Sequence, residues 1–334
     1  MGEKYMPNTH RRALLAGAGF AVIGRAQAQA RTVLRIGWTT SDGPQDPYAS
    51  GARAFKEEAE KLSNNRLDVQ LFPNRALGDE RPMLDGMRLG TVDMAVITNA
   101  VIAQIEPSFQ INDMPFLFPD EATAQRGLDG AMGRSLAQRL DARGVVPLGY
   151  MEGGFRQMIN NVRPIARPAD VRGVKFRVLQ SPIFIGMYNA LGGTAVPMAW
   201  GETFTAVQQG TIDGLEIPLA VIDANRYNEV TKYLSLTNHI YSMNALLIGK
   251  RNLERLPADL RDIVRAAGTA ATAKQRAASL ANARLIVESL RGKGMAVNPV
   301  ADAAEFRQAV LPMYESFRGA IGAEIVQQAL AASR

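Results

Sequence analysis

The chain holds two histidines, His10 and His239, and no cysteine. His10 falls in an N-terminal stretch that reads as a leader, so any serine-histidine nucleophile, imidazole metal cluster or histidine base must be built around His239 in "TNHIYS". The lack of cysteine excludes disulfides, thiolate metal sites and cysteine nucleophiles. No G-x-S-x-G, phosphate-binding P-loop or H-E-x-x-H pattern occurs. The carboxylate pairs Asp79/Glu80 and Asp213/Glu216 have the chemistry for acid-base work, but at helix starts and strand ends such groups read first as capping or solvated residues. His239, at a strand edge, reads as a structural ring bonded to a neighbour before it reads as a catalytic one. What remains is arginine, whose planar fork of donors matches a carboxylate in two parallel bonds and stays charged at physiological pH. Two arginines stand in strand-like runs, Arg156 in "GGFRQMIN" and Arg177 in "GVKFRVLQSP".

The strand around Arg177 places Val174, Phe176 and Val178 on one face and Lys175, Arg177 and Leu179 on the other. Taken alone this is a half-exposed strand with a solvated polar side, although Leu179 fits that face poorly. The elements that must position these residues follow an α/β pattern. "TVLRIGWTT", "NRLDVQLFP" and the nearly all-apolar "TVDMAVITNA" read as strands, with helices over about Ala49 to Leu62 and in "DERPMLDGMRLG", stopped by Gly90. A helix from Glu121 to Arg143, strands in "VVPLGYM" and "FRQMINN", and a long alanine-, arginine- and leucine-rich helix from Arg261 to Arg291 are expected further on. "MLDGMRLGTVDMAVI" and "TFTAVQQGTIDGLEI" echo each other as helix, glycine, Thr, β-branched residue, Asp, strand. Such a connection is common in α/β proteins; the alternative is two similarly built lobes facing a cleft.

Residues 1–30 read as an export signal. Arg11-Arg12 precedes the apolar run Ala13 to Ile23, and the stretch ends in an A-x-A pattern with cleavage expected after Ala28 or Ala30. The paired arginine resembles a twin-arginine signal, and eleven apolar residues are too few to span a bilayer. "GAGFAVIG" lacks the spacing and preceding strand of a dinucleotide fingerprint. Removing this segment lowers the net charge from +6 to 34 − 31 = +3. That charge is dispersed and aromatics are few, so no nucleic-acid surface is expected.

In order along the chain, "LFPNRALGDERPMLDGMRLGTVDMAV", "MPFLF", "GFRQMINNVRPI", "DVRGVKFRVLQSP", "LGGTAVPMAWGETFTAVQQGTIDGLE", "NEVTKYLSLTNHIYS" and "LPADLRDIV" resemble the DctP-like periplasmic substrate-binding proteins of tripartite ATP-independent (TRAP) transporters. The resemblance implies a two-lobed α/β periplasmic-binding-protein fold. Each lobe is a mixed sheet flanked by helices, residues 31–153 plus 243–282 and 154–242 plus 283–334, joined by crossing strands and a long hinge helix. It implies that Arg177 anchors a ligand carboxylate, that Arg156 assists, and that Trp200 lines the cleft. Thr39 and Thr98 match ligand-variable positions, and Glu216 and His239 join the expected ligand-binding set. An asparagine commonly follows the glutamate of "D-G-x-E"; here it is Ile217, which implies a different or more apolar ligand body. The implied protein is a monomeric periplasmic binder without cofactor, metal or catalysis, which delivers a small organic acid to a sodium-driven membrane permease. The alternatives are an exported sensing module for a signalling receptor and an exported hydrolase using His239.

Overall fold

The computed structural model describes residues 31–332, so the expected export signal at 1–30 lies outside the described residues. Strands β1 (Thr32–Gly37), β2 (Leu67–Phe72) and β3 (Met94–Thr98) pair in parallel in the order β2-β1-β3. The chain then builds β4 (Val145–Asn160) and a second parallel trio, β5 (Lys175–Val178), β6 (Thr194–Pro197) and β7 (Gly214–Pro218), in the order β6-β5-β7. With β8 (Tyr233–Leu236), β9 (Tyr241–Gly249) and β10 (Ala296–Pro299) these form an open ten-stranded mixed sheet, β2-β1-β3-β9-β4-β7-β5-β6, with β8 on β4 and β10 on β8.

Period-two alternation divides the core. Met94 and Val96 of β3 enter one buried apolar cluster while Ala95 and Ile97 enter another, as expected of a strand covered on both faces.

The two echoing segments are one construction used twice. The helix Glu80–Leu89 ends on Gly90 at φ 84°, and the helix Trp200–Gln208 is followed by Gly210 at φ 71°. This left-handed turn is open to glycine without a Cβ penalty. Thr91 N–H then donates to Gly86 O, and Thr211 N–H to Ala206 O, both at 2.9 Å. The aspartates of the two motifs accept from the adjacent strand: Arg35 N–H reaches Asp93 at 3.0 Å and Lys175 N–H reaches Asp213 at 2.8 Å. β3 and β7 are therefore docked identically against β1 and β5.

Two expectations are corrected. "VVPLGYM" and "FRQMINN" are a single 16-residue strand, β4, which pairs with β9 through Phe155 and with β7 from Arg156 onward. Between those two segments the backbone absorbs Gly153 and Gly154 in a register shift, and a Cβ on Gly153 would lie 2.5 Å from Ser242 O. The helix expected over Glu121 to Arg143 is two, Glu121–Asp129 and Ala131–Ala142, separated by an extended Gly130.

The 35-residue helix Ala258–Gly292 contains the expected span. Gln275 exchanges hydrogen bonds with the Glu152 backbone at 2.7 and 2.8 Å, and Arg276 donates to Tyr150 O at 2.9 Å while clasping Asp129. One helix thus fastens the midpoint of the crossing strand β4.

Candidate functional site

Open parallel sheets leave a crevice beyond the carboxyl ends of their strands, where loops diverge. Here both trios point those ends at the same place. Thr39 and Thr40 follow β1, Thr98 ends β3, Leu179 follows β5, and Ile217 and Pro218 end β7; all line one cavity.

Arg177 enters this cavity from β5. Lys175 is exposed as the alternation predicts, but Arg177 is only 1% exposed and Leu179 only 7%, so the solvated-face reading fails past Lys175. The strand's polar side runs into the crevice and not into bulk water. The Nε and Nη2 edge of the guanidinium donates to Met198 O at 3.0 and 2.7 Å. Its other edge, Nη1 and Nη2, has no partner among the described residues, and no carboxylate lies within ion-pair distance. Trp200 packs beside it, with the guanidinium carbon 6.0 Å from the ring centroid. Burial pulls its pKa below the usual arginine value, the signature of a cation whose countercharge is missing.

Arg156 is the opposite case. It is 4% exposed and its Nε and Nη2 grip the fully buried Glu216 in a side-on pair, Nη2 to Oε1 at 3.0 Å and Nε to Oε2. Nη2 also donates to Glu216 O at 2.6 Å and Nη1 to Ser242 Oγ at 3.1 Å, and the guanidinium lies over the Phe184 ring at 5.2 Å. Burial alone would raise the Glu216 pKa, but the Arg156 charge with help from His239 holds it below the ordinary carboxylate range. Burial lowers the His239 pKa against the pull of Glu216. The neutral ring accepts from Thr237 Oγ1 at Nδ1 (2.7 Å) and donates from Nε2 to the ionised Glu216 at 3.3 Å. An acceptor-only carboxylate dictates that tautomer.

Of the residues expected from sequence, Arg177, Arg156, Trp200, Ile217, Thr39 and Thr98 line the cavity together. Glu216 and His239 do not; both are 0% exposed and stand behind Arg156 as its support. Sequence reasoning missed Thr40, Tyr48 and Ser242, and it read Glu80 only as a helix-start acid. Glu80 begins the helix Glu80–Leu89, is 7% exposed, and accepts the Thr98 N–H at 2.7 Å. Burial pushes its carboxyl up to about 7.

Comparison with known proteins places this geometry. The family described as bacterial extracellular solute-binding protein, family 7, matches residues 39–320. The 2,3-diketo-L-gulonate-binding periplasmic protein of Escherichia coli (strain K12) is 31% identical over 293 residues, 88% of each chain. The sugar acid binding protein of Advenella mimigardefordensis, solved with galactonate, superimposes with a TM-score of 0.88 at 32% identity, covering 91% of this chain and 98% of that one. A TRAP periplasmic solute-binding protein from Polaromonas sp. JS666, bound to D-erythronate, gives 0.86 at 37% identity over 90% and 99%. By sequence over most of its length and by the whole architecture that carries Arg177 into the crevice, the chain belongs to the family 7 solute-binding proteins, those of TRAP transporters.

Proposed function

We propose that the cavity captures a small hydroxylated organic acid, its carboxylate held in two parallel bonds by the Nη1 and Nη2 edge of Arg177. The single observation that carries this reading is a buried guanidinium with one edge satisfied by Met198 O and the other unpartnered toward a cavity. Breaking a buried ion pair costs about 3–5 kcal/mol because a charge is left uncompensated; a ligand carboxylate supplies the missing countercharge. Thr39, Thr40 and Ser242 offer hydroxyls to a ligand body, while Ile217 and Val221 give it an apolar wall. Three of the similar proteins are named with galactonate, D-erythronate and 2,3-diketo-L-gulonate, which belong to this chemical class, while others are named with succinate or C4-dicarboxylates.

On this reading the protein is exported to the periplasm by its leader. It closes its two lobes, 31–153 plus 243–282 and 154–242 plus 283–334, over the acid and hands it as a monomer to the membrane subunits of a sodium-driven TRAP permease. No helix among the described residues is long and apolar enough to cross a membrane. The hydrolase reading loses support because His239 is sealed behind Glu216 and does not line the cavity that holds Arg177.

The test is a thermal-shift panel of D-erythronate, galactonate, 2,3-diketo-L-gulonate, lactate and succinate. A matching acid at 100 times its Kd stabilises the protein by about 2.7 kcal/mol. Arg177→Lys keeps the charge and loses the fork, so a matched affinity drop is expected; an unchanged affinity contradicts the two-bond contact.

A further inference from the structure

Glu80 and Arg177 line the same cavity, from the first helical residue after β2 and from β5. Counting charge there leaves few groups. Arg156 is cancelled by the side-on Glu216 pair, and Tyr48, facing Glu80 from the helix Pro47–Leu62, has its phenol pushed well above the usual value by burial and is neutral. Asp79, beside Glu80 on its own helix, lies 4.0 Å from Arg75. The groups whose charge bears on Glu80 are therefore Arg177 across the cavity, Arg156 behind it, Asp79 at its side and the neutral Tyr48. Glu80 makes no ion pair within 4 Å among the described residues, and its one hydrogen bond is the Thr98 N–H to Oε1 at 2.7 Å.

Without ligand, Glu80 is the free carboxylate that shares the cavity with Arg177. A ligand carboxylate on Arg177 supplies the close countercharge that Glu80, which makes no ion pair there, does not, and it adds a second negative charge beside Glu80. Like charges in a buried site do not both persist; one group protonates.

We propose that this cavity takes up one proton together with its acid ligand, at Glu80, and by the same charge count admits monocarboxylates while rejecting dicarboxylates. The inference rests on the carboxylate-binding reading of Arg177. The proton comes from solvent to the Glu80 carboxyl, whose O–H then donates to a ligand hydroxyl or carboxylate oxygen. A second ligand carboxylate would find Arg156 spent on Glu216 and the wall near the end of β7 made of Ile217, Pro218 and Val221. Burial, which already pushes Glu80 up to about 7, sets the pH window: below it the proton is present before binding, and above it the proton must be acquired.

The experiment is calorimetric titration of the wild type with D-erythronate, galactonate and succinate at pH 5.5 and 8, each in two buffers of different ionisation enthalpy. The expected result for the hydroxylated monoacids is close to one proton taken up per ligand at pH 8 and close to none at pH 5.5. Affinity then falls toward tenfold per pH unit above about 7, and succinate is at least a hundredfold weaker. In Glu80→Gln, proton uptake at pH 8 disappears and affinity no longer changes between pH 6 and 8, whatever its absolute value. Monoacid binding without proton uptake at pH 8, uptake that survives in Glu80→Gln, or succinate binding as tightly as the monoacids overturns the inference and leaves the Arg177 reading standing. The wild-type proton count decides the matter even if the variant does not fold. If none of the three acids binds at either pH, the carboxylate reading falls and the inference falls with it.

Discussion

Replacing each cavity arginine by methionine in ligand-free protein separates a structural cation from one that waits for a ligand. Methionine keeps a flexible apolar stem without the charge. Arg156→Met leaves Glu216, 0% exposed, with only the His239 contact at 3.3 Å, and orphaning one partner of a buried pair costs about 3–5 kcal/mol. At roughly 2.1 cal/mol/K of unfolding entropy per residue, a chain of about 300 residues loses about 5–8 °C of Tm. Arg177→Met removes two bonds to Met198 O, at 3.0 and 2.7 Å. Each is worth about 1.5–3 kcal/mol as a charged hydrogen bond. The same change removes the several kcal/mol of desolvation penalty on an unpaired guanidinium. These offset, and the Tm is expected within about 2 °C of wild type or above it. Scanning calorimetry on protein stripped of ligand by unfolding and refolding measures both. With a matching acid at 100 times Kd the wild type gains about 4 °C and Arg177→Met gains nothing. A ligand-free Arg177→Met that falls as far as Arg156→Met contradicts an unpaired Arg177, because the guanidinium would then be satisfied by the protein itself.

Three further outcomes follow from the same geometry. Asp113 is 3% exposed with Oδ2 unpartnered, and burial raises its carboxyl from the ordinary 3.8 to about 7. Its contribution is therefore complete below the ordinary value and is lost as pH rises through 7, so Asp113→Asn should stabilise by up to about 4 kcal/mol at pH 8 and progressively less toward pH 4 in urea unfolding; equal effects at both pH values contradict this. Gly153→Ala drives a Cβ to 2.5 Å from Ser242 O and should lose about 1–3 kcal/mol along with ligand affinity, since Ser242 holds Arg156; an affinity equal to wild type breaks that link. Nitrogen NMR should show His239 neutral, with the proton on Nε2, from pH 8 down through its ordinary 6.5; an imidazolium at pH 7 contradicts the Glu216 assignment.

Much of this was legible in the sequence where one physical signal dominates. The all-apolar β3, the glycine stops at Gly90 and Gly210, and the long helix each follow from periodicity or from a backbone requirement, and all three stand where expected. The twin motif was legible as a repeat but not as a pair of docked strands, because the contacts of Asp93 and Asp213 with Arg35 and Lys175 are nonlocal. β4 was read as two strands because local propensity does not show that a glycine pair is bridged by partners on either side. Arg177 read alone as solvated, since alternation tells which face a residue occupies and not what covers that face. Glu80 carried a signal that went unused: it precedes Gly90 by ten residues, as Trp200 precedes Gly210, so the repeat already set the two at equivalent helix starts facing one cavity. The roles of Glu216 and His239 as supports for Arg156 depend on β4, β7 and the approach to β9 meeting, which no linear spacing encodes.

A crystal structure of the wild type grown with D-erythronate or galactonate tests the Arg177 anchor. The ligand carboxylate is expected against the Nη1 and Nη2 edge of Arg177, each oxygen about 2.8 Å from its nitrogen, with the Met198 contacts intact and Arg156 still paired to Glu216. A carboxylate seated elsewhere in the cavity, or a ligand hydroxyl on that edge of Arg177, contradicts it.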